Sequence, residues 1–126
     1  GCRAVALPVA GAFHSPFMEQ AATGLWPMLE ATEFCSPTIP VVSNVDAEYH
    51  QDPVRIRVAL RQQIVQPVLW QRCVERMIRD GVDRFVEIGP GRVLTGLVRK
   101  ISRKMPAVNV STRDSIAIAI PTGAAT

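Results

Sequence analysis

The sequence predicts an α/β fold, and three observations carry that prediction. Short apolar runs stand at 3–9, 39–45, 83–88 and 107–110, each too short for a helix, and the run at 39–45 is rich in β-branched residues. The stretches between them place apolar residues at three-and-four spacing, the mark of helices with one buried face. Glycine or proline punctuates most of the junctions. Strand, helix, strand, two helices, strand, helix, strand is the alternation of a parallel sheet with helices on its faces.

Taken in order, residues 3–9 read as a strand with Pro8 near its end. Pro16 suits the first turn of a helix running to Thr32, with Met18, Ala21, Ala22, Leu25, Leu29 and Thr32 on one stripe. Pro27 predicts a kink there, and Met18 and Met28 are expected in the core. A loop over 33–40 leads to a short buried strand, Ile39 to Val45, whose Ser43 and Asn44 either line a pocket or satisfy the turn into Asp46-Ala47. His50 follows in a polar loop, without a carboxylate or cysteine at ligand spacing, and receives no role.

Asp52-Pro53 starts the next helix, aspartate as N-cap and proline at the first helical position. That helix extends to about Gln66 with Ile56, Ala59, Leu60 and Ile64 inward, and Gln63 falls on the same stripe. A buried amide must find hydrogen-bond partners, so Gln63 either satisfies itself or serves a site. Pro67 separates it from a packing helix with Trp70, Cys73, Val74, Met77 and Ile78 on one face and Gly81 as its stop. Asp83 to Ile88 is a second buried strand, and Gly89-Pro90-Gly91 turns into a helix with Leu94, Leu97, Val98, Ile101 and Met105 inward. That turn lacks the third glycine of a dinucleotide fingerprint and the Gly-Lys-Ser/Thr of a P-loop, so its glycines read as tight-turn residues. Ala107 to Val110 forms the last strand, and 111–126 is a tail with a disordered end.

At 126 residues and 48% hydrophobic, the chain suits one domain or part of one. It has no run near the roughly 20 apolar residues of a membrane span and no signal peptide, so a soluble, cytoplasmic protein is expected. Cys2, Cys35 and Cys73 form no CxxC pair, which argues against a disulfide framework or a metal site; Cys73 reads as core. A first residue that is glycine, opening in mid-strand, suggests a truncated chain. The net charge of +3 includes Arg99, Lys100, Arg103 and Lys104, clustered near one helix end where they complement its dipole. The cluster is either a solvated face or a docking patch for an acidic partner. Nucleic acid is disfavoured, since no aromatics interleave the basic residues.

The stretch that draws chemistry is Pro8 to Met18, in which an apolar run ends in Gly11, presents His14, and passes through Ser15-Pro16 into a helix. Strand-to-helix turns are common mounts for reactive groups, and histidine exchanges protons near neutrality. Those residues alone leave His14 either a general base or an ordinary turn histidine.

GAFHSPFM (11–18), VVSNVDA (41–47), RQQIVQPVLW (61–70) and EIGPGRVLTGL (87–97) together resemble, in order and spacing, the C-terminal part of the malonyl-CoA:acyl carrier protein transacylases, from about residue 4 to about 110. The resemblance implies an α/β-hydrolase-like parallel-sheet acyltransferase domain over 11–110. Residues 1–10 would supply only the last strand of a small ferredoxin-like subdomain, and 111–126 a tail. It implies transfer of malonyl from malonyl-CoA to the phosphopantetheine thiol of acyl carrier protein in fatty acid biosynthesis, with no bound cofactor. His14 would be the base of a Ser-His dyad, and the main-chain carbonyl of Gln63 would hold its ring. Phe13 would favour malonyl over methylmalonyl, or merely pack. Arg99, Lys100, Arg103 and Lys104 become the candidate docking patch for the carrier protein. No Gly-x-Ser-x-Gly elbow occurs here, so the nucleophile, the oxyanion-hole residues and the malonyl-binding arginine would lie elsewhere, and the chain alone is expected to be inactive. An acyltransferase domain of a polyketide synthase, or a truncated non-catalytic paralogue that binds acyl carrier protein, remain as alternatives.

Overall fold

The computed structural model describes residues 10–119. The expected strand at 3–9, Cys2 and the end of the tail lie outside the described residues. The chain divides after Trp70 into two units, each with its own two-stranded sheet.

In the first unit Pro16–Met18 forms a single 3-10 turn that runs into α1 (Glu19–Ala31), with Pro27 inside the helix. Ala22 and Leu29 are its buried residues, whereas Met28 is two-thirds exposed, contrary to its expected place in the core. β1 (Val41–Val42) and β2 (Tyr49–His50) pair antiparallel through the loop 43–48. The strand expected over 39–45 is therefore shorter and less buried than its β-branched run implied: Ile39 and Val41 are mostly exposed. Its partner β2 falls where a polar loop was expected. Ser43 satisfies the turn, its Oγ accepting from Val45 N, while the Asn44 carbonyl accepts from Leu69 N at 2.8 Å, and both residues also line a cavity against α2.

α2 (Pro53–Val65) begins as the sequence predicts, with Asp52 Oδ1 accepting from Val54 N at 3.0 Å and Pro53 in the first turn. α1 packs against α2, and two arginines of α2 fasten the pair. Arg61 Nη2 reaches Glu19 Oε1 at 2.9 Å and lies over the Trp26 ring; Arg57 Nη2 donates to the Thr32 carbonyl and lies over Phe34. Each guanidinium thus serves at once as charge, donor and flat apolar cover.

The second unit takes up α3 (Trp70–Arg79) from its second residue; the helix buries Cys73 and Val74 and is stopped at Gly81, whose φ of 99° suits a residue without Cβ. β3 (Phe85–Ile88) and β4 (Ala107–Val110) pair in parallel, Phe85 opposite Ala107, with α4 (Val93–Ile101) as the crossover. This βαβ element is the parallel part of the expected sheet. Gly89 and Gly91, at φ of 133° and 87°, make the turn between β3 and α4. Thr95 and Val98 are the buried residues of α4, while Leu94, expected inward, is 41% exposed. Ile88, expected in a buried strand, is 84% exposed. A short helix, α5 (Ile116–Ala119), follows β4 and packs on it.

Candidate functional site

The turn before α1 holds His14 in the left-handed region at φ 58°, a conformation that crowds Cβ against the following carbonyl. Two contacts hold this turn. Ser15 Oγ donates to the Ala12 carbonyl at 2.6 Å, and His14 Nδ1 meets the Gln63 carbonyl at 2.6 Å, across 49 residues of sequence. A carbonyl oxygen only accepts, so Nδ1 carries the proton and the neutral ring presents its free lone pair at Nε2. The histidine is exposed.

The acceptor is available because it lies in the last turn of α2, where main-chain carbonyls lack helical partners. Gln63 is half-buried, and its side chain turns back to donate from Nε2 to the Gln66 carbonyl at 3.0 Å. The amide therefore satisfies itself, and only the main chain of Gln63 reaches His14. The 3-10 turn that follows His14 packs directly on α2, which brings these two distant residues together.

Ser15 has its hydroxyl bonded to Ala12, away from the adjacent imidazole. Phe13 is 59% exposed, and its ring lies at ordinary contact distance, 3.4 Å, from where a Cβ at Gly11 would stand. Among the basic residues, Arg99 and Lys100 lie in the last turn of α4, while Arg103 and Lys104 follow the helix. Arg99 Nη2 donates to the Ala107 carbonyl, so part of that cation is engaged within the fold, and Arg99, Lys100, Arg103 and Lys104 are all exposed.

Two pairings lay outside the sequence reading. His50, assigned no partner, is buried, and its Nε2 donates to Asp46 Oδ2 at 2.9 Å. Burial works against the Asp46 charge, but the Glu48 N–H, His50 and the Ser43 hydroxyl outweigh it and hold the carboxyl below its ordinary value. Their four-residue spacing was visible, but it reads as a helical pair, and here it spans the bend of a hairpin. Glu87 is the other. Its carboxylate accepts from Thr95 Oγ1 at 2.6 Å and from Thr95 N and Leu94 N, capping α4 from β3, and these donors lower its pKa. Arg92 at the N-cap position makes no side-chain cap, which was the signal that a cap had to come from elsewhere.

Among the described residues no group of three or more His, Cys, Asp and Glu could hold a metal ion, and no described helix is long and apolar enough to cross a membrane.

No protein-family model matches the chain. It is 39% identical over 120 residues to the malonyl CoA-acyl carrier protein transacylase of Bacillus subtilis (strain 168), covering 95% of this chain and 38% of that protein. An acyl carrier protein S-malonyltransferase from Vibrio cholerae superposes with a TM-score of 0.89 at 42% identity, over 94% of this chain and 39% of the other. A malonyl-transacylase in complex with a type II PKS acyl-carrier protein superposes with a TM-score of 0.86, also at 42% identity, over 90% and 37%. The chain thus spans little more than a third of the length of such relatives.

Proposed function

Since this chain belongs to the malonyl CoA-acyl carrier protein transacylase family, we propose that it supplies the histidine half of a Ser-His dyad that moves malonyl from malonyl-CoA to the phosphopantetheine thiol of acyl carrier protein. The observation that carries the reading is the 2.6 Å contact from His14 Nδ1 to the Gln63 carbonyl. It sets the tautomer that a base acting through Nε2 requires, and it stabilises the imidazolium that forms.

The nucleophilic serine belongs to the part of the enzyme beyond this sequence. His14 Nε2 takes its proton as the oxygen attacks the malonyl thioester, with oxyanion donors also supplied from beyond this sequence. The proton passes to the departing coenzyme A sulfur, leaving a malonyl-serine ester. His14 then takes the proton of the carrier thiol, the sulfur attacks the ester, and the proton returns to serine. In this scheme a main-chain carbonyl does the orienting work that a carboxylate does in serine proteases. The Ser15 hydroxyl donates to the Ala12 carbonyl, which supports the proposal that Ser15 does not replace the nucleophile and that residues 1–126 alone catalyse no transfer.

Phe13, beside the base, is proposed to crowd the α-carbon and favour malonyl over methylmalonyl, a discrimination of about 1–3 kcal/mol for one methyl group. Lys100, Arg103 and Lys104 are proposed to meet the acidic carrier protein, a reading supported by their exposure and by the carrier complex of a structural relative. The full-length enzyme with His14→Ala tests the main proposal in a malonyl-transfer assay. A loss of about 10²-fold or more is expected of a general base, and near-equal rates would remove the dyad.

A further inference from the structure

The last main-chain bond of α2 runs from Gln66 N to the Gln62 carbonyl at 2.8 Å. In an α-helix each carbonyl accepts from the N–H four residues on, so the next bond would run from residue 67 to the Gln63 carbonyl. Residue 67 is proline and has no N–H to give. Its ring also disfavours the helical region for the residue before it, and Gln66 accordingly stands extended at φ −101° and ψ 148°. Two further contacts lead the chain away from the helix. Gln63 Nε2 donates to the Gln66 carbonyl at 3.0 Å, and Leu69 N donates to the Asn44 carbonyl at 2.8 Å. The Gln63 carbonyl, left without the donor its own helix would have supplied, is the one that meets His14 Nδ1 at 2.6 Å.

We propose that Pro67 is a positioning residue of the transfer reaction: by withholding the N–H that would complete the helical bond, it reserves the Gln63 carbonyl for His14. The inference rests on the reading of His14 as the base. An N–H at residue 67 would reach that oxygen whenever Gln66 turned helical, and would there share it with the imidazole. Sharing weakens the bond that fixes the tautomer, and continuing the helix would also pull Leu69 N from the Asn44 carbonyl. Pro67 is exposed, so a smaller side chain in its place opens no cavity. Its part is played by the donor it lacks.

The test uses the full-length enzyme with Pro67→Ala, which restores the N–H, and with Gln66→Gly added to Pro67→Ala, where glycine resists the extra helical turn. Histidine nitrogens are followed by NMR at a pH of about 8.5, above the ordinary histidine range, and the spectrum of His14→Ala assigns the His14 signals. In Pro67→Ala the residue-67 amide should be protected from hydrogen exchange, and the His14 Nδ1 resonance should move toward that of an unprotonated nitrogen. Its kcat for malonyl transfer should fall about 3–10-fold at unchanged KM, the worth of one net hydrogen bond. The double variant should recover the resonance and most of the rate. A proline that merely stiffens the turn predicts the reverse order, because glycine loosens the chain further. Unmoved His14 nitrogens, an unprotected residue-67 amide, a loss confined to KM, or a double variant slower than the single one would overturn the proposal. Failure of the dyad reading is a different result: it appears as a wild-type rate in His14→Ala, whatever the nitrogens show in Pro67→Ala.

Discussion

Replacing His14 with alanine and with glycine separates the chemistry of the side chain from the strain of its backbone. His14 sits at φ 58°, where any Cβ costs about 1–2 kcal/mol. Alanine keeps that cost and glycine removes it, but glycine gives back about 0.4–1 kcal/mol through the freedom of the unfolded chain. The glycine variant should therefore be the more stable of the two by about 0.5–1 kcal/mol, a melting difference of about 1–2 °C for a protein of its relatives' length. Both variants lose the Nδ1 contact to the Gln63 carbonyl equally. If His14 is the base, both should lose about 10²–10⁴ in transfer rate, irrespective of their stability. Thermal melts and malonyl-transfer kinetics on the same two full-length variants decide the matter. Activity that recovers in the glycine variant along with stability would refute the reasoning, because the histidine would then be acting through the turn and not through its nitrogen.

Gln63→Ala keeps the carbonyl that holds His14 and loses only the side-chain bond to Gln66, so its rate should fall by less than about 10-fold in steady-state assays, far less than for His14→Ala. Asp52→Ala removes the cap on Val54 N and should cost about 1 kcal/mol in urea unfolding. Val74→Ala deletes two methyls from a wholly buried side chain, for which about 2 kcal/mol is expected from the same measurement. Asp46 has a folded pKa below its ordinary 3.8, so the stability it contributes is complete above that value and is lost as pH falls through the lower folded value. Acid unfolding of Asp46→Asn should accordingly be less steep in that window than that of the wild type.

Helices were legible where their own residues close them. Asp52-Pro53 and Gly81 fix ends by local geometry, and both stand where the sequence places them. Burial was less legible. The runs at 39–45 and 83–88 imply strands covered on both faces, which neither the two-stranded β1–β2 hairpin nor the β3–β4 pair with its one crossover helix provides. Ile39, Val41 and Ile88 consequently stand exposed. Leu94 is exposed for a different reason. The Glu87 carboxylate draws the first turn of α4 toward β3 through the Thr95 hydroxyl and amide, so Thr95, and not Leu94, takes the inward place.

The site divides along the same line. A histidine in a glycine- and proline-bounded turn marks itself, but nothing in residues 11–18 identifies what holds its second nitrogen, because the holder is a main-chain atom that any residue type would offer. Gln63 drew notice for its amide, which satisfies itself on Gln66, while the atom that matters to His14 is its carbonyl. Only the family's spacing between blocks pointed from one to the other. Glu87 and the Asp46–His50 pair escaped notice because each joins elements whose proximity depends on the fold: a strand to a helix in one case, two sides of a hairpin bend in the other. Polar residues that close a neighbouring element leave only an indirect trace in sequence, an element whose own cap is missing, as Arg92 shows at the start of α4. A search for helices without caps and for acidic residues on adjoining strands would have found Glu87. No comparable rule pairs a main-chain acceptor with its donor, so the Gln63–His14 contact was legible only through the family resemblance and not from the residue types themselves.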